Sequence, residues 1–300
     1  VVARICGLCA ITHTLTYTAS IEKLLNAQIT RKAKYLRMLL VELDRIHSHM
    51  LCLAHVCESA GYEAGFMDMM ASREPVMDLQ EAITGNRVQF DYIDIGGVNS
   101  DIDATVAKSI TQTLLRLKVK IEQFIDEFQN ITLVKKFRGI GILSKTNAYS
   151  YNAIGPLARA AGMQTDVRRH LDYLPYKEVG FEIVTQNNGD IEARNSVRLL
   201  EILNSIKMCI NIVEGLPEGD IKVKVGGKPD GEVITFLEAP RGELMYYIKA
   251  SGAKKLDRVR IKTPTFASIP AMVATFKNQE YADAPAILAS FDPCLSCTAK

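Results

Sequence analysis

The chain carries a Cys-x-x-Cys pair at each end, Cys6 with Cys9 and Cys294 with Cys297. Such a spacing brings two thiolates within reach of one metal or of each other. If both pairs serve one site, the fold must return its last residues to its first. The pairs stand 285 positions apart, counted from Cys9 to Cys294. Three readings compete on spacing alone. Zinc modules that staple interaction proteins keep their pairs within tens of residues. A dithiol redox site needs one pair, in a βαβ setting that the flanking sequence lacks. A four-thiolate site for nickel, iron or copper(I), closed from both ends, suits soft sulfur ligands.

Composition narrows the classes. Seven cysteines, an odd number, fit poorly with a secreted disulfide framework. Cys52, Cys57 and Cys209 lie in apolar helical stretches, where a buried free thiol is the ordinary outcome. Lys plus Arg is 36 against 34 Asp plus Glu, a net charge of +2. That balance lacks the basic excess of a nucleic-acid binder, so no nucleic-acid partner is expected. No apolar run reaches the ~18 residues that span a bilayer. The chain opens at Val1, close ahead of a metal motif, which suggests a further segment upstream.

Periodicity indicates a mainly α, α+β fold: a helical bundle core with a small antiparallel β-sheet region. Leu36, Leu39, Leu40, Leu43, Ile46 and Met50 repeat at three and four. Val106, Ile110, Leu114, Leu117, Ile121, Ile125 and Phe128 form a stripe within a helix expected over 101–128. A third helix is expected over 192–213, with Val197, Leu200, Leu203, Ile206, Ile210 and Val213 on one face. Stripes this wide are bundle core. Near Leu216 Gly and Pro become dense, and β-prone runs follow at 221–225, 233–237, 244–248 and 259–262. A short helix is expected over 267–276 before the segment 285–300 delivers the second pair. The expected organisation is one domain over 1–300, with its helical core over 10–215 and its β-rich region over 216–265.

The residues around the pairs discriminate between the three site readings. The first reads Arg4-Ile5-Cys6-Gly7-Leu8-Cys9-Ala10-Ile11-Thr12-His13, and the second Asp292-Pro293-Cys294-Leu295-Ser296-Cys297. RxCGxCxxxH near the start with DPCxxC at the end resembles the large subunit of [NiFe] hydrogenases. Further segments resemble the energy-converting, membrane-bound group 4 branch, related to the 49 kDa subunit of complex I. They are Arg73-Glu74 to Asp78-Leu79, Thr84-Gly85-Asn86-Arg87, Gly155 to Ala160, Glu238 to Leu244, and Lys262-Thr263-Pro264-Thr265.

The resemblance implies a Ni–Fe centre whose iron carries carbon monoxide and cyanide. Cys6 and Cys294 map to terminal nickel ligands, Cys9 and Cys297 to ligands bridging nickel and iron. Splitting H2 heterolytically needs the metal and a nearby base, and Cys294 is the first candidate for that base. Arg241, in Pro240-Arg241-Gly242, maps to the arginine over the open side of the metal, with Asp292 as the partner that orients it. A guanidinium there supplies fixed positive charge and does not deprotonate. His13 maps to the histidine that reaches toward an iron–sulfur cluster in a partner subunit. Implied partners are a small subunit carrying that cluster, ferredoxin-like and membrane subunits, and a maturation protease cutting just after the second motif. The mature end would then lie near Lys300. The implied place is peripheral, on the cytoplasmic side of the cell membrane.

The resemblance is not complete. His47-Ser48-His49 aligns with a His-Asp-His segment of better-known uptake enzymes, and here Ser48 replaces the acid. His47, His49 and His55 share one helix, with no carboxylate partner evident in sequence. Gly139-Ile140-Gly141 and Gly226-Gly227-Lys228 lack the spacing of phosphate loops. The implied activity is reversible H2 oxidation. The alternative is a cluster-free structural or quinone-site subunit of a complex I-like assembly, a branch without the four cysteines.

Overall fold

A computed structural model describes residues 1–130 and 136–298. The cysteine-bearing arm leads directly into α1 (Ala10–Leu24), for which Cys9 is the N-cap residue. The long helix α2 (Arg31–Ser59) starts at Thr30, whose hydroxyl accepts from the Ala33 N–H at 3.2 Å. Then α3 (Glu63–Thr84) stops at Gly85, which turns left-handed at φ 79°. After a two-stranded hairpin, β1 (Ile93–Asp94) and β2 (Gly97–Val98), comes α4 (Ala104–Asn130).

Two short helices, α5 (Lys145–Ser150) and α6 (Gly155–Ala160), precede α7 (Ile191–Glu214). Asp190 caps α7 by accepting from the Ala193 N–H at 2.8 Å. An antiparallel sheet of order β3-β4-β5 follows, from β3 (Asp230–Ala239), β4 (Gly242–Ser251) and β5 (Arg258–Lys262). The chain closes with α8 (Pro264–Thr275), α9 (Ala284–Phe291) and α10 (Leu295–Thr298). No helix among the described residues is long and apolar enough to cross a membrane.

The centre is α2, which packs on α3, α7 and α9. Met38, Leu39, Leu40, Val41, Leu43, Ile46 and Met50 are all fully buried. Each such side chain contributes roughly 1.5–3 kcal/mol of transfer free energy. Yet Glu42, Asp44, Arg45, His47, Ser48 and His49 are buried on the same helix. Buried polar groups persist only where partners satisfy them. Those partners build the surroundings of the cysteines.

The mixed helical and antiparallel class agrees with the sequence reading, as do the helices around 36–50, 106–128 and 197–213. Two local expectations are corrected, and one helix has no counterpart in the sequence reading. Residues 221–225 are not a strand of the sheet. They cross the β1–β2 hairpin in a single bridge, with Val98 N–H to Ile221 O at 3.0 Å and Val223 N–H to Gly96 O at 2.9 Å. A side chain at Gly97 would meet Ile221 O at 2.1 Å, so only glycine permits this crossing. The helix expected over 267–276 begins three residues earlier, because Pro264 suits its first turn. Helix α3 went unread: Pro75 lies inside it, and its buried face mixes Ser72, Arg73 and Gln80 with Met69, Val76 and Ile83.

Candidate metal centre

The two ends of the chain meet. Cys6 Sγ and Cys294 Sγ are 3.5 Å apart, and the sulfurs of Cys6, Cys9 and Cys297 all lie within 4.8 Å of one another. All four residues are buried and none is in a disulfide. Two threonines of the Lys262-Thr263-Pro264-Thr265 segment pin the second pair. Thr265 Oγ1 accepts from the Cys294 N–H at 3.2 Å, and the Thr263 hydroxyl donates to Cys297 O. Four convergent, buried soft donors fit a soft transition-metal centre. The chain's own residues would hold it through Cys6, Cys9, Cys294 and Cys297.

Without a metal the thiols compete for protons. Cys6 is driven far down, first by hydrogen bonding from Cys294 and then by Cys297 and Cys9. Cys297 is driven up, first by its contact with Cys294. Cys9 also rises: contact with Cys297 favours its thiolate, but contact with Cys6 and burial outweigh that. One negative charge therefore settles on Cys6 first. Outside the cluster, burial pushes Cys52 and Cys57 up to about 12 and keeps them as neutral thiols.

Arg241 faces this cluster from the hairpin turn. Strands β3 and β4 close at the pair Ala239–Gly242, so Pro240 and Arg241 form a two-residue turn. Pro240 is buried in it. Gly155, at φ +65°, lies against this turn; a Cβ there would sit 2.5 Å from Arg241 O. The guanidinium donates from Nε to Asp292 O at 2.8 Å and from Nη2 to Asp292 Oδ1 at 2.7 Å. Its Nη1 donates to Ser48 Oγ at 3.2 Å. Burial opposes its charge, but Asp292 and the electrostatic influence of the cysteine cluster raise its pKa and keep it cationic. Asp292 adopts the left-handed region, φ 54°, which Asp tolerates better than most residues.

His13, on α1, is fully buried, with Nδ1 2.8 Å from the Tyr246 hydroxyl and Nε2 3.9 Å from Cys297 Sγ. Burial raises the Tyr246 pKa, so its hydroxyl stays protonated. The structure therefore brings Cys6, Cys9, Cys294, Cys297, His13, Arg241 and Asp292 into one neighbourhood.

A second layer was invisible in sequence. Arg45 donates to Glu238 O at 2.7 Å and Ala239 O at 3.2 Å, fixing the strand that carries Pro240 and Arg241. Arg159 bridges Glu238 at 2.8 Å and Glu201 at 2.7 Å. The carboxylate partners of the α2 histidines, not evident in sequence, are present in the structure. His47 faces Asp44 at 3.1 Å, His49 faces Glu201 at 2.9 Å, and His55 faces Glu58 at 3.2 Å. Each histidine has its own acid, and they do not converge. Burial lowers His49 to about 4, so it is neutral near pH 7. The i,i+3 spacings of Asp44–His47 and His55–Glu58 were a readable signal; Glu201, 152 positions from His49, offered none.

Known proteins match the chain over almost its whole length. Residues 60–228 and 225–300 match the family described as respiratory-chain NADH dehydrogenase, 49 Kd subunit, and residues 1–58 match nickel-dependent hydrogenase. The carbon monoxide-induced hydrogenase of Rhodospirillum rubrum is 34% identical over 99% of this chain and 83% of that protein. The membrane-bound hydrogenase subunit alpha of Pyrococcus furiosus is 33% identical over 98% of this chain and 73% of its own. An NADH-quinone oxidoreductase subunit of Chloroherpeton thalassium is 29% identical over 92% of this chain and 69% of its own. Among solved structures, a chain of the membrane-bound sulfane sulfur reductase, an archaeal respiratory membrane complex, superposes with a TM-score of 0.94 at 28% identity, covering 100% of this chain and 83% of that one. The chain belongs to the family of group 4, membrane-bound [NiFe] hydrogenase large subunits, related to the 49 kDa subunit of complex I.

Proposed function

We propose that this chain is the catalytic subunit of an energy-converting [NiFe] hydrogenase, interconverting H2 with protons and electrons. The observation that carries this reading is the convergence of two buried cysteine pairs, from opposite ends of the chain, beneath a guanidinium fixed by Asp292. A nickel–iron centre bearing carbon monoxide and cyanide, when bound, supplies the redox and H2-splitting chemistry. Cys6, Cys9, Cys294 and Cys297 would hold it, and the Cys294 sulfur, with its lone pair, would serve as the base that takes up a proton. Arg241 presents fixed positive charge over the site and excludes bulk water, and Asp292 keeps it aimed. His13 and Tyr246 brace the Cys297 side, from which electrons pass to iron–sulfur clusters in partner subunits.

The wider reading follows the relatives, which are named as membrane-bound hydrogenase and NADH-quinone oxidoreductase subunits. The chain docks peripherally, on the cytoplasmic side, with a cluster-bearing small subunit and ferredoxin-like and membrane subunits. Electrons pass to or from ferredoxin, and turnover drives ion translocation. A maturation protease trims the nickel-loaded precursor. A cluster-free quinone-site role fits less well, because a chain without a metal has no use for four convergent thiols. The likeness to the sulfane sulfur reductase favours a second reading, reduction of sulfur–sulfur bonds at the same cluster. Hydrogen–deuterium exchange by the purified complex separates the two. Exchange supports the hydrogenase; sulfane reduction without exchange supports the second reading.

A further inference from the structure

Three arginines, four acids and one histidine form a single network between α2, α7, β3 and the segment after α6. Arg45 pairs with Glu42, Arg168 with Glu42 and Asp166, and Arg159 with Asp166, Glu201 and Glu238. His49 adds its contact with Glu201. All eight residues are buried, and no further cation pairs with these acids among the described residues. His49 is neutral near pH 7, so three cations face four carboxyl groups. Four ionised acids would leave one buried negative charge uncompensated. The ordinary remedy is a proton on one of them.

The donors decide which acid takes it. Glu42 accepts from the Tyr176 and Ser205 hydroxyls at 2.7 and 2.6 Å and from Arg45 Nε at 3.0 Å. Asp166 accepts from Arg168 Nε at 3.0 Å, Arg168 Nη2 at 2.7 Å and the Arg168 N–H at 2.9 Å. Glu201 has Arg159 Nε at 2.7 Å and His49 Nε2 at 2.9 Å, one on each oxygen. Glu238 has least. Its Oε1 accepts from Arg159 Nη1 at 2.8 Å, and its Oε2 has only a long contact, 3.3 Å, from the Val167 N–H. Asp166 Oδ2 and Thr165 O lie 3.1 Å from the same Arg159 Nη1. That nitrogen carries two hydrogens, so three acceptors compete for them.

The groups facing the Glu238 carboxyl are Arg159 from α6 and Asp166 and Arg168 from the segment that follows. Burial is the largest influence on all four acids and pushes each one up. The arginines overturn it at Glu42, Asp166 and Glu201, which stay below the ordinary carboxylate range. At Glu238 burial and then Asp166 outweigh Arg159 and Arg168, and the carboxyl is held above that range.

Glu238 lies near the end of β3, three residues before Arg241. Its hydrogen-bond partners are Arg159, Val167 and, on its carbonyl, Arg45; none is a cluster cysteine. We propose that Glu238 carries a proton on Oε2 near neutral pH and is a positioning residue for Arg241. As a neutral acid it shares Arg159 Nη1 with Asp166 without repulsion, and the end of β3 stays seated. When pH rises, the O–H bond breaks, the proton leaves to solvent and a carboxylate remains; no electron moves. Two carboxylates then repel across one guanidinium nitrogen, and the strain falls on the strand end that carries Arg241. The effect on turnover rests on the hydrogenase reading; the protonated acid does not.

The test uses the assembled complex with the native chain and with Glu238→Gln, which keeps a neutral group and an oxygen for Arg159. Infrared spectra in H2O and D2O are expected to show a carboxylic-acid band at pH 7 that shifts in D2O and is missing from E238Q. A band common to both, or none, overturns the proposal. The unfolded chain releases this proton at lower pH than the native one, so the native urea midpoint, relative to that of E238Q, is expected to fall as pH rises above the ordinary carboxylate range. A constant or rising difference overturns the proposal. The ratio of hydrogen–deuterium exchange at alkaline pH to that at pH 7 is expected to be at least about threefold higher in E238Q than in the native complex. An equal ratio overturns the positioning role. If E238Q does not assemble, Glu238→Asp decides: the band must move in frequency, and an unmoved band overturns the assignment. A native complex with the Glu238 band but no hydrogen exchange supports the acid and counts against the hydrogenase reading, and the pH ratio is then read on sulfane reduction.

Discussion

Asp292 grips Arg241 twice, its backbone carbonyl accepting from Nε at 2.8 Å and its Oδ1 from Nη2 at 2.7 Å. One carboxylate and one peptide group thus fix both the charge and the plane of the guanidinium. The geometry arises because Asp292 sits left-handed at the end of α9, two residues before Cys294. The segment that delivers a cysteine also delivers the anchor for the cation above it.

Replacing Arg241 with Lys keeps a charge but loses the planar fork. Turnover of the matured complex is expected to fall by about 10²-fold with metal content unchanged. Asp292→Asn should resemble it and also cost stability, on the order of 3 kcal/mol, because it leaves a buried cation unpaired. Hydrogen-oxidation assays and denaturant midpoints check the two effects separately.

Cys294→Ser removes a soft donor from the centre of the cluster. Hydrogen–deuterium exchange is expected to vanish and nickel content to drop. Full activity in this variant refutes the ligand assignment.

Gly155 packs against the hairpin turn where no side chain fits. Gly155→Ala forces a Cβ toward Arg241 O and places a side chain at positive φ. A loss of about 1–3 kcal/mol is expected, read as a lower unfolding midpoint. The activity loss should exceed what the stability loss explains, since the shifted residue is Arg241.

Stability should fall on acidification before the carboxylates titrate. His49 is lowered by burial from 6.5 to about 4, so the unfolded chain binds its proton at higher pH than the native one. Its contribution is present above about pH 6.5 and is lost as pH falls toward 4. The size is roughly 3 kcal/mol by linkage. Glu201 is also held low, Arg159 and His49 outweighing burial, and it adds loss at still lower pH. Urea midpoints at pH 7 and pH 5 test this, with His49→Gln expected to flatten the difference.

What the sequence revealed divides along contact range. The cysteine pairs, Pro240-Arg241-Gly242 and Asp292 were legible because short motifs carry them. Helices α2, α4 and α7 were legible because their apolar residues keep a 3.6-residue period. Helix α3 was hidden by Pro75 and by buried Ser72, Arg73 and Gln80, which break the apolar stripe. Residues 221–225 have strand-forming side chains, yet their pairing is decided by the approach to Gly97. The ion pairs of Arg159 with Glu201 and Glu238, and of His49 with Glu201, join residues with no local signal. They became readable only once α2, α7 and β3 were side by side.

The central claim is that the two cysteine pairs hold one nickel–iron centre. The most direct measurement is the infrared spectrum of the matured complex, in the region of metal-bound carbon monoxide and cyanide, with metal content taken on the same sample. The account predicts both sets of bands together with nickel and iron, all lost in Cys294→Ser. Zinc alone, or no metal and no such bands in a correctly matured complex, would contradict it.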